Sequence, residues 1–113
     1  MLQTDLTHIE SEEAFKATLE ENENVMICCG RMGPMCIPVY EVMEEIEGDY
    51  KHVKFADMAF DSPYSHVIRS LPECTTFNGL PFTVYFKNGK VVKATSSIQD
   101  MDQVTSILDE NFK

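Results

Sequence analysis

Apolar and polar positions along the chain change period repeatedly, and the changes mark out its elements. Val25 to Cys29 is an unbroken apolar run of strand length, the pattern of a central strand covered on both faces. Beyond it, Val39, Val42, Met43 and Ile46 recur at helical spacing, with Glu41, Glu44, Glu45 and Glu47 mostly on the other face. A helix is therefore predicted from about Pro34 to Glu47, ended by Gly48-Asp49. Pro34 suits a first turn, where no backbone N–H is needed, and Pro38 falls where it would kink the next one. Val53 to Phe60 reads as a strand interrupted by Asp57. Phe82 to Phe86 and Val91 to Thr95 read as two more, joined through Lys87-Asn88-Gly89-Lys90, and Asn-Gly is the strongest short hairpin signal. Ahead of these, Leu2 to Leu6 carries a short strand pattern. Ser11-Glu12-Glu13-Ala14 opens a helix to about Glu21, capped by Ser11 or Thr7. A turn at Asp61-Ser62-Pro63 leads to a short helix from about Tyr64 to Ser70 and a loop from Leu71 to Gly79. Ile98 to Phe112 closes the chain as a helix with the stripe Met101, Val104, Ile107 and Leu108.

The predicted order is β-α-β-α-β-α-β-β-α. Its alternating first half implies parallel crossovers, and its end is a hairpin. The expected fold class is α/β, with a central mixed sheet flanked by helices on both faces, in a single domain over residues 1–113. A chain of 113 residues with 43% hydrophobic and 25% charged residues can bury a sizeable core.

The net charge of −10 argues against nucleic acid and against anionic membranes, since both call for basic patches. No signal-peptide pattern opens the chain, and no apolar stretch approaches the roughly 18 residues of a spanning helix. The expectation is a soluble, cytoplasmic monomer. In a reducing compartment four cysteines point to redox chemistry, metal binding or plain burial rather than to a structural disulfide framework. His8, His52 and His66 are not spaced with cysteines as zinc sites require, so no metal and no cofactor is expected.

Strand, glycine-rich turn with cysteines, then helix is the setting of Cys28-Cys29-Gly30-Arg31-Met32-Gly33-Pro34-Met35-Cys36. Two segments carry a resemblance along nearly the whole chain to the thioredoxin family. Gly79-Leu80-Pro81-Phe82-Thr83-Val84-Tyr85-Phe86-Lys87-Asn88-Gly89-Lys90 resembles the family's cis-proline segment. Cys36 through Tyr50 resembles its second active-site cysteine and following helix, so that Gly33-Pro34-Met35-Cys36 stands where the family has Cys-Gly-Pro-Cys. An alternative register sets Met32-Gly33-Pro34-Met35 on that motif. Asp61 closes the third strand as the family expects. In the first register Gly33 replaces the nucleophile and Met32 the tryptophan before it. Counting back puts Ile27 in place of the family's buried aspartate, and Asp57 in place of its lysine partner. The Ser62 to Gly79 segment is longer than usual and carries Cys74.

The resemblance implies thiol–disulfide exchange and cell redox homeostasis, with protein thiols and disulfides as partners and a thioredoxin reductase as electron source. Exchange needs an accessible thiolate and a second thiol to resolve the mixed disulfide, and a helix N-terminus favours the thiolate. Cys36 is the remaining motif cysteine. Cys29, at the end of the strand seven residues earlier, is the preferred partner, and Cys74 is a further redox candidate. Cys28 should face away from Cys29 by strand alternation and so reads as a core cysteine. Pro81 is expected in cis, with Leu80 offering backbone bonds to an extended substrate and Met32 and Met35 flanking the site. Asp57 reads either as a proton acceptor or as a charged residue at a partly exposed position. The alternative function is a non-catalytic protein-binding module that uses the Pro81 edge.

Overall fold

A computed structural model describes residues 3–112. Five strands form one sheet in the order β1-β3-β2-β4-β5: β1 (Thr7–His8), β2 (Asn24–Gly30), β3 (Lys54–Ala59), β4 (Phe82–Lys87) and β5 (Lys90–Ser96). β3 pairs parallel with both β1 and β2, while β4 runs antiparallel to β2 and β5 antiparallel to β4. This is the mixed sheet that the element order predicts. Its crossovers are the helices α1 (Glu12–Glu21), α2 (Ile37–Ile46) and α3 (His66–Arg69), and α4 (Met101–Asn111) closes the chain.

Every residue of β2 is buried, as expected for an apolar run at the centre of a sheet. Its side chains alternate between two cores. Met26 and Cys28 join Val39, Tyr40 and Met43 of α2 and Val104 and Leu108 of α4. Val25, Ile27 and Cys29 join Phe15 of α1, Ile68 of α3, and Phe82, Val84 and Phe86 of β4. Helices thus cover both faces of the sheet.

Local chemistry sets the element ends. The Ser11 hydroxyl accepts the Ala14 N–H at 3.0 Å and caps α1. Asp100 and Gln103 form a reciprocal capping box at α4. Asn88 and Gly89, both at positive φ (53° and 79°), make the hairpin turn.

Three predicted element starts move by three residues or more. The first strand is Thr7–His8 rather than Leu2 to Leu6; Leu2 lies outside the described residues, and Leu6 instead buries its side chain in the α2–α4 core. The second helix begins at Ile37, because Gly33 to Cys36 first forms a tight turn closed by the Cys36 and Ile37 N–H groups on the Gly33 carbonyl. The last helix begins at Met101, where the cap at Asp100 follows Ser97 at φ 68°, leaving Ile98 exposed.

Candidate functional site

Three chain segments converge at the C-terminal end of β2. β2 itself ends at Gly30, α2 starts at its N-cap residue Cys36, and the Leu80–Pro81 peptide bond is cis just before β4. Gly30 is what lets them meet. A Cβ there would lie 2.8 Å from the Cys36 sulfur, 2.8 Å from the Tyr40 hydroxyl oxygen and 3.0 Å from Pro81 Cβ, closer than atoms pack. The expectation of a cis bond before Pro81 holds, and Pro81 stands against the cysteine turn.

Cys36 is 3% exposed. Its sulfur accepts the Arg31 N–H at 3.4 Å. Arg31 is fixed in turn: its carbonyl accepts the Tyr40 hydroxyl at 3.1 Å, and its guanidinium grips the Asp61 carboxylate through two bonds of 2.8 Å. It also lies over the Phe60 ring at 5.2 Å from the centroid. The Arg31 guanidinium holds the Asp61 carboxyl below the usual carboxylate range. Gly33 is bare: a Cβ built on it meets nothing within 4 Å. Met32 and Met35 stand exposed at 41% and 43% on either side, and Leu80 is half-buried where the two cores adjoin.

The four thiols are free and buried, and the sheet sorts them by face. Cys36 and Cys28 belong to the α2–α4 core; Cys29 and Cys74 belong to the α1–α3 core. Strand alternation does separate Cys28 from Cys29, but it turns Cys28 toward Cys36. The structure therefore does not bring Cys29 and Cys36 together, nor Cys74 and Cys36. Burial pushes the Cys28 thiol well up, with the Thr83 hydroxyl donating to its sulfur at 3.8 Å. Burial pushes the Cys29 thiol up to about 12, against the pull of the nearby Arg69 guanidinium, and that of Cys74 to about 11. Burial of this kind makes Cys28, Cys29 and Cys74 poor entry nucleophiles.

Asp57 is 1% exposed, which corrects the partly exposed position expected for it. Its carboxylate accepts the Thr4 hydroxyl and, at 2.7 Å, His8 Nδ1–H. Burial still raises its pKa above the ordinary carboxylate value, opposed by those two bonds. Its register neighbour on β2 is Cys28, while Ile27 pairs with Ala56 and enters the opposite core. Counting back through the glycine-rich loop thus misplaces the residue beside Asp57 by one. A cavity of about 310 Å³ opens along the β1–β3 edge, lined in part by His8, Asp57, Asp61 and Tyr64. No cysteine lines it, which separates it from the sulfur chemistry. Among the described residues no three metal-ligating side chains cluster, and no helix is long and apolar enough to cross a membrane.

Sequence reasoning missed Tyr40, Arg31 and Gly30. Tyr40 sits one position after Val39 on the buried stripe and reads as filler. The signal that could have found it is the bare glycine at the strand end, which leaves room for a ring from the facing helix.

The sequence matches no family model and no curated protein. Solved structures do match. Thioredoxin from Plasmodium falciparum superposes with a TM-score of 0.74 at 17% identity, over 94% of this chain and 99% of that one. Oxidised thioredoxin O2 from Arabidopsis thaliana gives 0.75 at 16% identity, over 99% and 98%. Thioredoxin f2 from Chlamydomonas reinhardtii gives 0.77 at 13% identity, over 95% and 96%. End-to-end superposition at such identities, with the cis-Pro81 turn standing against Cys36, shows that this chain has the thioredoxin fold.

Proposed function

We propose that this protein is an atypical thioredoxin, a small thiol–disulfide exchange protein that works through Cys36. The observation that carries the reading is the setting of that sulfur. It lies at the N-cap of α2, accepts a backbone N–H, and shares with the cis-Pro81 turn the space beside Gly30. A helix N-terminus and an aimed N–H both favour the anionic form that attacks disulfides.

In the proposed cycle the Cys36 thiolate attacks one sulfur of a client disulfide. A Cys36–client S–S bond forms, and the client's other sulfur leaves as a thiolate that takes up a proton. A second thiol then attacks the Cys36 sulfur as its own proton is lost, releasing the client's remaining sulfur reduced. Two electrons pass to the client, and the attacking pair is left oxidised. Cys28 shares a core with Cys36, so a Cys28–Cys36 bond requires no change of face. Cys29, the partner expected from the sequence, would require the end of β2 to turn over. Gly33 leaves room beside the turn for an incoming sulfur. The client would lie extended along Leu80, adding backbone bonds at that edge, with Met32 and Met35 as adaptable apolar contacts. The partners are protein disulfides, with a thioredoxin reductase to restore the dithiol, and the working form is a cytoplasmic monomer.

Reduction of a small protein disulfide, with mass-spectrometric mapping of each cysteine, tests this. Wild-type protein should reduce the substrate, Cys28→Ser should trap it on Cys36 as a mixed disulfide, and Cys36→Ser should lose both. Four free thiols after exposure to excess disulfide, with no substrate reduced, would overturn the proposal and leave the fold as a binding scaffold.

A further inference from the structure

Contacts from three parts of the chain meet around one peptide unit, that between Gly30 and Arg31. Its carbonyl accepts the Phe60 N–H at 2.8 Å, and its N–H donates to the Cys36 sulfur at 3.4 Å. The next carbonyl, that of Arg31, accepts the Tyr40 hydroxyl at 3.1 Å. A strand end that reaches the surface can satisfy its carbonyls with water. Here a buried phenol from α2 is brought up through the core to do so, and the chain keeps a glycine to admit it. A Cβ at position 30 would lie 2.8 Å from both the Tyr40 oxygen and the Cys36 sulfur, so phenol and thiol flank the same bare Cα.

We infer that Tyr40 is a positioning residue for Cys36: its hydroxyl fixes the end of β2 so that the Arg31 N–H stays aimed at the sulfur and stabilises it as a thiolate. This rests on the reading of Cys36 as the exchanging sulfur. A backbone N–H bonded to an anionic acceptor is roughly twice as strong as the same bond to a neutral one. Acceptance of the Phe60 N–H by the same peptide polarises it further in that direction. Misaligning the donor therefore costs the thiolate more than the thiol, and the loss shows in the protonation equilibrium and not in stability alone. Tyr40 acts as a permanent donor, because burial keeps its hydroxyl protonated far above its ordinary range. The Arg31–Asp61 clasp holds the same residue from the solvent side.

The other ionisable groups within electrostatic reach of the sulfur are Cys28 and Cys29 on β2, Arg31 beyond it and Asp61 clasped to Arg31; Asp57 lies one strand away, beside Cys28. All of them persist in Tyr40→Phe, which removes one oxygen. The test is alkylation of Cys36 by iodoacetamide from acid to alkaline pH, quantified by mass spectrometry of its peptide. Tyr40→Phe protein with a wild-type circular dichroism spectrum should react about tenfold more slowly at neutral pH, with its rate–pH profile moved to higher pH. An unmoved profile in folded Tyr40→Phe overturns the inference, as does a wild-type Cys36 that reacts at no pH. Should Tyr40→Phe fail to fold, Tyr40→Met, which also lacks the hydroxyl and leaves every charge in place, decides, and an unmoved profile there overturns it. Because no disulfide enters the assay, a moved profile in a protein that exchanges no disulfide upholds the positioning role while removing the exchange reading.

Discussion

At the scale of single residues, Gly33 and Gly30 have opposite consequences within one turn. Gly30 is bare because its space is filled by the Cys36 sulfur, the Tyr40 hydroxyl and Pro81, whereas nothing approaches within 4 Å of a Cβ on Gly33. Gly33→Cys should therefore be accepted without strain and would rebuild Cys-Gly-Pro-Cys in spirit, as Cys-Pro-Met-Cys. Air-oxidised Gly33→Cys protein should show two fewer alkylatable thiols than its reduced form, with peptide mapping joining positions 33 and 36. Five free thiols would show that this turn does not hold the two positions at disulfide geometry. Strand alternation made it legible in the sequence that Cys28 and Cys29 face opposite ways. Which of them faces α2 was not legible. That depends on how the 30–36 loop crosses the sheet edge, and a one-residue error in counting through a glycine-rich loop reverses the face. Tyr40 was illegible for a related reason: its partner, the Arg31 carbonyl, is a backbone atom that no residue pattern marks.

At the scale of elements, long periodic segments were readable and short ones were not. β2, β3, the β4–β5 hairpin and the body of α2 carry apolar periods or turn residues that compete with nothing else, while α1, whose period is imperfect, was readable from its Ser11 cap. β1 has two residues, Thr7 and His8, too few for any period, and it exists because β3 offers a parallel edge to Thr7 and His8. The start of α4 shows capping chemistry overriding pattern. The apolar stripe runs back to Ile98, but the Asp100 side chain and backbone N–H exchange bonds with Gln103, at 2.9 Å each, and begin the helix later. Asp100→Ala should remove the bond to the Gln103 N–H and cost about 0.5–2 kcal/mol of stability. That would lower Tm by several degrees in a domain of this size. A thermal melt of that variant unchanged from wild type would assign the boundary to packing of Met101 and Val104 instead.

At the scale of the whole molecule, a net charge of −10 makes stability pH-dependent through self-repulsion among surface carboxylates, and Asp57 adds a separate buried contribution. Burial raises its folded-state pKa above the ordinary value even though Thr4 and His8 both donate to it. The folded protein therefore holds the Asp57 proton to a higher pH than the unfolded chain does. The stability this provides is complete below the unfolded pKa and is lost as pH rises through the folded one. Asp57→Asn cannot lose it. The Tm of the variant minus that of wild type should accordingly become more positive from acid toward neutral pH, and the surface repulsion common to both proteins cancels in the difference. A difference that falls with rising pH would mean that the hydrogen bonds to Asp57 outweigh burial and that its carboxylate is held ionised. Asp57 would then act as a fixed negative charge beside Cys28, opposing a thiolate there, and Cys36 would have to do its chemistry with a partner whose thiol resists ionisation. The difference curve thus reports on the sulfur chemistry as well as on stability, because Asp57 and Cys28 are paired in register across β2 and β3.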